Sequence, residues 1–386
     1  MNRINLTAKV KRIGLDARLY TSKFTGIGRY VWELIQQLAQ IDQRTEFVCF
    51  LNEPEFQNFQ KPGPNFRAVK VAAPYYSLAE QTVFLRALQR ERLDLMHFPH
   101  FNRPLFYQGL TVVTIHDLIL SLFTSQKMQR WYHKLAYNLV LRRATQQAQR
   151  VLTVSQHTKQ DLQKILGLDP QKIQVVLNGL SPDFQPAPDL KRARFLVKQK
   201  FGLRDYLLTT GAARGHKNIP RLLRALAHLK QRKNFAGQLV LVGPRDEFYQ
   251  AEIEGLIQEY ELADLVVQLG FVAEEDLRLL LGAARVFVFP SLYEGFGFPP
   301  LEAMATGVPV VTSRASALQE VCGSAAEFFD PLDVAGMAEK IWRVWGAEDL
   351  RVRLIAAGLQ QVKKFTWQKT ARETYAVYQE VLGGLG

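Results

Sequence analysis

Residues 286–313 read VFVFPSLYEGFGFPPLEAMATGVPVVTS. The opening apolar run makes a buried strand, and a glycine-containing loop follows it. Pro299 and Pro300 suit the first turn of a helix, where a missing N–H costs nothing. Gly307 suits the C′ position that ends the helix, and 308–311 is the next strand. Glu294 then falls on the loop at the strand's carboxyl end, and Glu302 in the first turn of the helix. Both carboxylates face one crevice, beside the backbone N–H groups of Gly295, Phe296 and Gly297 and a helix N-terminus. Carboxylates that accept from hydroxyls, and amides that donate to them, are what a polyol requires. For a bare pair of glutamates at this spacing, a solvated loop acid and a first-turn acid facing the helix dipole would serve as well. The intervening Gly-Phe-Gly-Phe-Pro-Pro-Leu makes that plainer reading the poorer one.

Outward from this unit the same alternation continues in both directions. Towards the N-terminus, strands are expected at 266–269, 239–242 and 206–210, with helices at 274–284, 247–260 and 219–229. Residues 180–189 then break the rhythm with three prolines, which remove backbone donors and disfavour helix before them. Beyond that linker the alternation resumes. Strands are expected at 12–16, 46–51, 94–98, 111–115, 151–154 and 174–177, with helices at 28–40, 77–92, 126–148 and 155–166. In the first helix Val31, Leu34, Ile35 and Leu38 share one face. Two runs of strand and helix predict an α/β protein with two doubly wound, Rossmann-like domains, 1–184 and 185–366. They are expected to face each other across a cleft, with ligands beyond the carboxyl ends of the strands. The last helix, about 367–383, has no partner strand and is expected to pack back across the linker onto the first domain.

At 386 residues the chain exceeds what one hydrophobic core usually supports, so two domains also follow from its length. Cys49 and Cys322 stand apart in apolar surroundings and read as buried, reduced thiols. Residues 1–20 contain no apolar core of a secretory signal, and no stretch reaches the roughly 18 apolar residues of a spanning helix. A cytoplasmic protein is the expectation. The net charge of +13 favours polyanions, whether nucleic acid, anionic lipid or phosphate-bearing substrates.

Several segments taken in order resemble one family. They are Gly26-Ile-Gly-Arg-Tyr30, Ile115-His-Asp117, 153–162 (TVSQHTKQDL), 175–179 (VVLNG), 216–223 (HKNIPRLL), 241–244 (LVGP) and the Glu-x7-Glu segment itself. Together they are similar to the family-four retaining glycosyltransferases of GT-B fold, and closest to the bacterial mannosyltransferase-like group. The resemblance implies that Glu302 binds the ribose hydroxyls of a nucleotide-sugar donor. Glu294, with the amides near Phe296 and Gly297, would hold hydroxyls of the transferred sugar. Lys217 would pair with the donor diphosphate, and the Gly26–Gly28 loop would approach its phosphates. His116 would contact the transferred sugar near the reaction centre, with Asp117 orienting the ring or capping the next segment. His97 and His100, at another strand end, either touch the acceptor or serve the fold. The common Gly-x-x-Glu-Pro-Arg-Lys-Asn spelling departs here to Gly211-Ala-Ala-Arg-Gly-His-Lys-Asn218. His216 takes the arginine's slot, and Arg214 is the candidate for the second cation.

No Asp-x-Asp in suitable surroundings and no cluster with metal-ligand spacing is present, and this absence together with the family resemblance implies neither a metal nor another cofactor. The resemblance to the mannosyltransferase-like group implies GDP-mannose as donor, with UDP-glucose or UDP-N-acetylglucosamine as alternatives, and a saccharide or a lipid-linked glycan as acceptor. Nucleic acid is not expected as a partner, because no nucleic-acid module accompanies the charge. A GT-B epimerase would not carry the Glu-x7-Glu signature in this form. A dehydrogenase would need Gly-x-Gly-x-x-Gly after the first strand, where Gly26-x-Gly28 is followed by Arg29, Tyr30 and Val31. Between 127 and 164 stand Lys127, Arg130, Lys134, Arg142, Arg143, Arg150, Lys159 and Lys164, opposed by Asp161. Trp131, Tyr132 and Tyr137 are interleaved. This stretch reads either as a helix lying on an anionic membrane or as a solvated face with its aromatics turned inward.

Overall fold

The structure, a computed structural model, describes residues 10–20, 26–123, 131–211, 214–244 and 247–383. The chain forms two compact units. One comprises the residues up to Gly179 together with those from Trp367 onward, and the other runs from Leu180 to Thr366. The proline-rich segment joins the second unit from Leu180, whose N–H donates to Phe365 O at 3.1 Å.

The first unit contains β1 (Arg12–Asp16), α1 (Ile27–Ile41), β2 (Glu46–Leu51) and β3 (Phe66–Lys70). A five-residue π-helical turn, Glu80–Phe84, runs into α2 (Leu85–Glu91). Then come β4 (Leu95–Phe98), β5 (Thr111–Ile115), α3 (Trp131–Gln147), β6 (Arg150–Thr153), α4 (Gln156–Leu166) and β7 (Ile173–Val175). The sheet order is β3-β2-β1-β4-β5-β6-β7, with every pair parallel. Strands buried on both faces carry apolar runs such as Phe47–Leu51, while α1 buries the stripe that its periodicity predicts, Val31, Leu34, Ile35 and Leu38, together with Tyr30, Glu33 and Ala39. Local chemistry sets the helix ends. Ser155 caps α4 by accepting from Thr158 N–H, and Gly167 ends it in the left-handed conformation. The C-terminal helix Trp367–Gly383 completes this unit. Thr370 donates to Leu177 O at 2.7 Å, and Tyr378 packs fully buried against His97.

The second unit contains α5 (Leu190–Phe201), β8 (Tyr206–Thr210), α6 (Ile219–Lys233), β9 (Gln238–Val242), α7 (Glu247–Glu259) and β10 (Val266–Gly270). It continues with α8 (Glu274–Ala283), β11 (Val286–Phe289), α9 (Phe298–Ala305), β12 (Val310–Ser313), β13 (Ala326–Phe329), α10 (Val334–Gly346) and α11 (Glu348–Gln361). Its sheet order is β10-β9-β8-β11-β12-β13, again all parallel. The chain winds one way from β8 to β10, and the other from β11 to β13. The reversal therefore falls between β8 and β11, as it falls between β1 and β4 in the first unit. Loops leaving neighbouring strands at such a point diverge to opposite faces of the sheet and open a crevice at the carboxyl ends.

Candidate active site

At the β8/β11 reversal, Lys217 and Glu294 meet, with Nζ 2.7 Å from Oε1 and both side chains largely buried. Each is put there by a backbone device. Gly211 follows β8 at φ +120°, and a β-carbon there would lie 3.3 Å from Lys217 Cε. A larger residue would have to displace the lysine stem and adopt a conformation that L-residues avoid. Asn218 then turns the chain into α6 at φ 59°. Its amide donates to Pro290 O at 3.0 Å and Pro331 O at 2.8 Å, tying the lysine turn to the end of β11. Leu292 N–H donates to His216 O at 2.7 Å, joining the two loops directly. Glu294 is held through its own N–H, which donates to Ser316 Oγ at 2.7 Å. The lysine ammonium also lies 5.0 Å from the centroid of Phe289.

The loop beyond Glu294 is anchored by the buried Phe296, edge-to-face with Phe298 and Phe365 at 5.1 and 5.7 Å. Gly297 opens α9 at φ 120°, and a β-carbon there would come within 2.8 Å of Leu318. Pro299 lies in the first turn, and Gly307 follows the helix at φ 76°. Glu302 is a correction to the sequence reading. The helix starts at Phe298, so Glu302 is its fifth residue and stands in the second turn, 6% exposed.

His216 occupies the arginine's slot without an arginine's charge. Burial and the neighbouring Lys217 push its pKa down to about 4. Arg214 is exposed, just before the turn that carries Lys217. The described residues thus supply one buried cation against Glu294 and one exposed arginine nearby.

In the first unit, Gly26 opens α1 at φ 84°, and among the described residues nothing lies within 4 Å of where its β-carbon would stand. Gly28 lies in the first turn, and 21–25 fall outside the described residues. His116 follows β5, and its Nε2 lies 2.8 Å from Pro99 O. A carbonyl only accepts, so Nε2 carries the proton. Burial holds the pKa down at about 4, which leaves a neutral ring with Nδ1 as its acceptor. His97 belongs to the fold. It is fully buried, with Nε2 2.8 Å from Thr114 Oγ1 and Nδ1 2.5 Å from the Tyr378 hydroxyl. His100 accepts the Asn102 N–H on Nδ1 at 3.2 Å.

Sequence reading missed the supports of these groups, Gly211, Asn218 and Ser316. It also missed a buried ion network at the carboxyl end of β1. Arg18 bonds both oxygens of Asp16 at 2.8 Å and Glu80 at 3.0 Å, between the rings of Tyr75 and Phe84 at 4.1 Å each. Asn102 and Gln81 also donate to Glu80. The available signal was Asp16-Ala-Arg18, an acid and a base two apart at the end of an apolar strand.

Of the basic stretch, Lys127 and Arg130 lie outside the described residues, as do the side chains of Trp131 and Tyr132. Tyr137 is turned inward, 5.1 Å from Phe101, while Lys134, Arg142 and Arg143 are exposed. Among the described residues, no helix is long and apolar enough to cross a membrane.

Comparison with known proteins gives consistent matches. The model of "Glycosyltransferase Family 4" matches residues 24–184, and that of "Glycosyl transferases group 1" matches 193–361. The O-antigen chain mannosyltransferase B of Escherichia coli is 30% identical over 373 residues, covering 92% of this chain and 96% of its own length. The MMP alpha-(1->4)-mannosyltransferase of Mycolicibacterium hassiacum is 31% identical over 264 residues, 66% of this chain and 59% of its own. Among solved structures, the sucrose-phosphate synthase of Thermosynechococcus elongatus superposes with a TM-score of 0.77 at 22% identity. That match covers 97% of this chain and all of the other.

Proposed function

Because this chain belongs to the family-four glycosyltransferases of GT-B fold, we propose that it is a retaining, metal-independent hexosyltransferase that takes mannose from GDP-mannose. The acceptor is a saccharide or a lipid-linked glycan in polysaccharide assembly. The observation that carries the reading is the Lys217–Glu294 pair at the β8/β11 reversal. A cation there meets the charge that builds on a departing nucleoside diphosphate, and a carboxylate accepts from sugar hydroxyls. Mannose is favoured over glucose by the names of the relatives, both mannosyltransferases.

In this mechanism the donor's anomeric C–O bond breaks with oxocarbenium character while Lys217 and the amides at the start of α9 take up diphosphate charge. Glu294 holds hydroxyls of the transferred sugar and Glu302 those of the ribose. The acceptor hydroxyl attacks from the face that the diphosphate leaves, and a donor phosphate oxygen accepts its proton. His116 offers a substrate only the acceptor Nδ1. Arg214 is the side chain available as second cation to the phosphates.

A thermal-shift panel of GDP-mannose, UDP-glucose and UDP-N-acetylglucosamine tests the donor. A ligand at a hundred times its Kd stabilises the folded state by about 2.7 kcal/mol. GDP-mannose is expected to raise Tm most. A larger rise with a UDP-sugar transfers the reading to that donor, and no rise with any of the three ends it. Turnover is expected to persist in EDTA, and NMR of the product to show the donor's anomeric configuration.

Membrane contact belongs to the same proposal. On α3, Leu135 and Leu139 are 61% and 56% exposed, one turn apart and beside Lys134, Arg142 and Arg143. Apolar side chains ringed by cations suit an anionic bilayer surface. The chain is expected to float with vesicles containing anionic lipid and not with neutral ones, and Leu135→Ser with Leu139→Ser to weaken that binding. Flotation indifferent to lipid charge excludes this surface.

A further inference from the structure

Tyr76 stands where neither the backbone nor hydration favours a tyrosine. Its φ is +62°, in the left-handed region that a bulky residue rarely adopts, and the residue is 66% exposed. The surrounding structure imposes both. Glu80 is tied to this turn through its own N–H, which donates to Ser77 O at 3.1 Å, and its carboxylate is gripped by Arg18 and Asn102, all three residues buried. Ser77 closes the turn by donating to Pro74 O at 2.6 Å. The buried ion network therefore fixes an exposed ring.

The ring is also fixed laterally. It stands edge-on to His100 at 6.3 Å and tilted against Phe101 at 6.4 Å. His100 lies 4.2 Å from Phe101 and edge-on to Tyr75 at 5.9 Å. Pro99, the residue before His100, holds the His116 ring through its carbonyl. This cluster lies where the first sheet reverses, at the carboxyl ends of β1 and β4, which is where a doubly wound sheet receives its ligand.

A rigid, wetted aromatic face at such a point suits a ligand that is apolar on one face and hydroxylated at its rim. A pyranose has that form: its axial C–H bonds lie over the ring while its hydroxyls remain in water or meet polar neighbours. We propose that Tyr76 is a stacking platform for a pyranose ring of the acceptor, held ready by the Arg18–Glu80–Asn102 network. This rests on the saccharide acceptor proposed above.

The test is binding of methyl α-D-mannopyranoside and methyl α-D-glucopyranoside to the full chain by saturation-transfer NMR. It compares the parent, Tyr76→Phe and Tyr76→Asn. Phenylalanine keeps the face and is expected to bind within about twofold of the parent. Asparagine removes the face but accepts the left-handed backbone, so binding is expected to fall about tenfold with no loss of Tm. The GDP-mannose shift is expected to be unchanged in both variants. The platform is overturned if the parent binds neither pyranoside, if Tyr76→Asn binds as the parent does, or if its loss of binding comes with a lowered Tm. Pyranoside binding that depends on Tyr76 in a chain that GDP-mannose does not stabilise would leave the platform standing and sink only the donor.

Discussion

Replacing Lys217 by alanine is expected to lower kcat with GDP-mannose by about a hundred- to a thousandfold, the usual cost of removing one pre-positioned electrostatic stabiliser. The geometry gives that loss two sources, because Lys217 also neutralises Glu294 at 2.7 Å. A carboxylate left partly buried without its partner costs roughly 1–3 kcal/mol in its own right. Some lost activity could then come from a disturbed Glu294 rather than from the lost cation. A double-mutant cycle separates the two. Glu294→Gln removes the charge that needs Lys217. If the lysine only serves Glu294, adding Lys217→Ala to Glu294→Gln changes kcat no further. If it takes up diphosphate charge, the double variant is slower than Glu294→Gln by nearly the factor seen in the parent background. Equal kcat for the double variant and Glu294→Gln would remove Lys217 from the chemistry.

The largest stability effect is expected at Arg18. Its guanidinium is fully buried with both oxygens of Asp16 and one of Glu80 as partners. Burial opposes its charge, yet the two carboxylates hold its pKa above the ordinary value. Burial likewise raises the pKa of Glu80, against the lowering influence of Arg18. Arg18→Leu would leave two carboxylates facing each other out of water, and breaking a buried pair in this way costs about 3–5 kcal/mol. For a unit of this size that corresponds to a fall in Tm on the order of 10 °C. Adding Glu80→Gln should recover part of the loss by removing one orphaned charge. Arg18→Lys should fall between, since it keeps the charge but not the planar fork. A melt of Arg18→Leu within about 1 °C of the parent would show that the network does not hold the fold.

The strand and helix alternation was legible because most of its signals are local. β8 and β11 lie within the bounds their apolar runs suggest, 206–210 and 286–289. β3, Phe-Arg-Ala-Val-Lys, was passed over because an edge strand carries charge where a central strand carries valine. Glu302 falls one residue beyond the expected first turn, because the helix start depends on Gly297 adopting a backbone that no local pattern announces. His97 was undecidable for a deeper reason: its hydroxyl partner Tyr378 lies 281 residues away in the chain. The same holds for Lys217 and Glu294, 77 residues apart, whose meeting depends on the strand order and not on any spacing in the sequence. The family resemblance pointed to these residues. Only the fold supplies the supports, Gly211, Asn218 and Ser316, that bring the pair into contact.

The helix Trp367–Gly383 belongs to a unit whose other residues all precede Leu180. During synthesis the ribosome therefore makes the whole of the second unit before it releases the piece that completes the first. Until then Tyr378 is missing from His97 and Thr370 from Leu177 O, and the surface they cover is open to water. The second unit, contiguous in the chain, can finish as it emerges. The first must wait in a partly assembled state until Trp367–Gly383 has emerged behind the second unit.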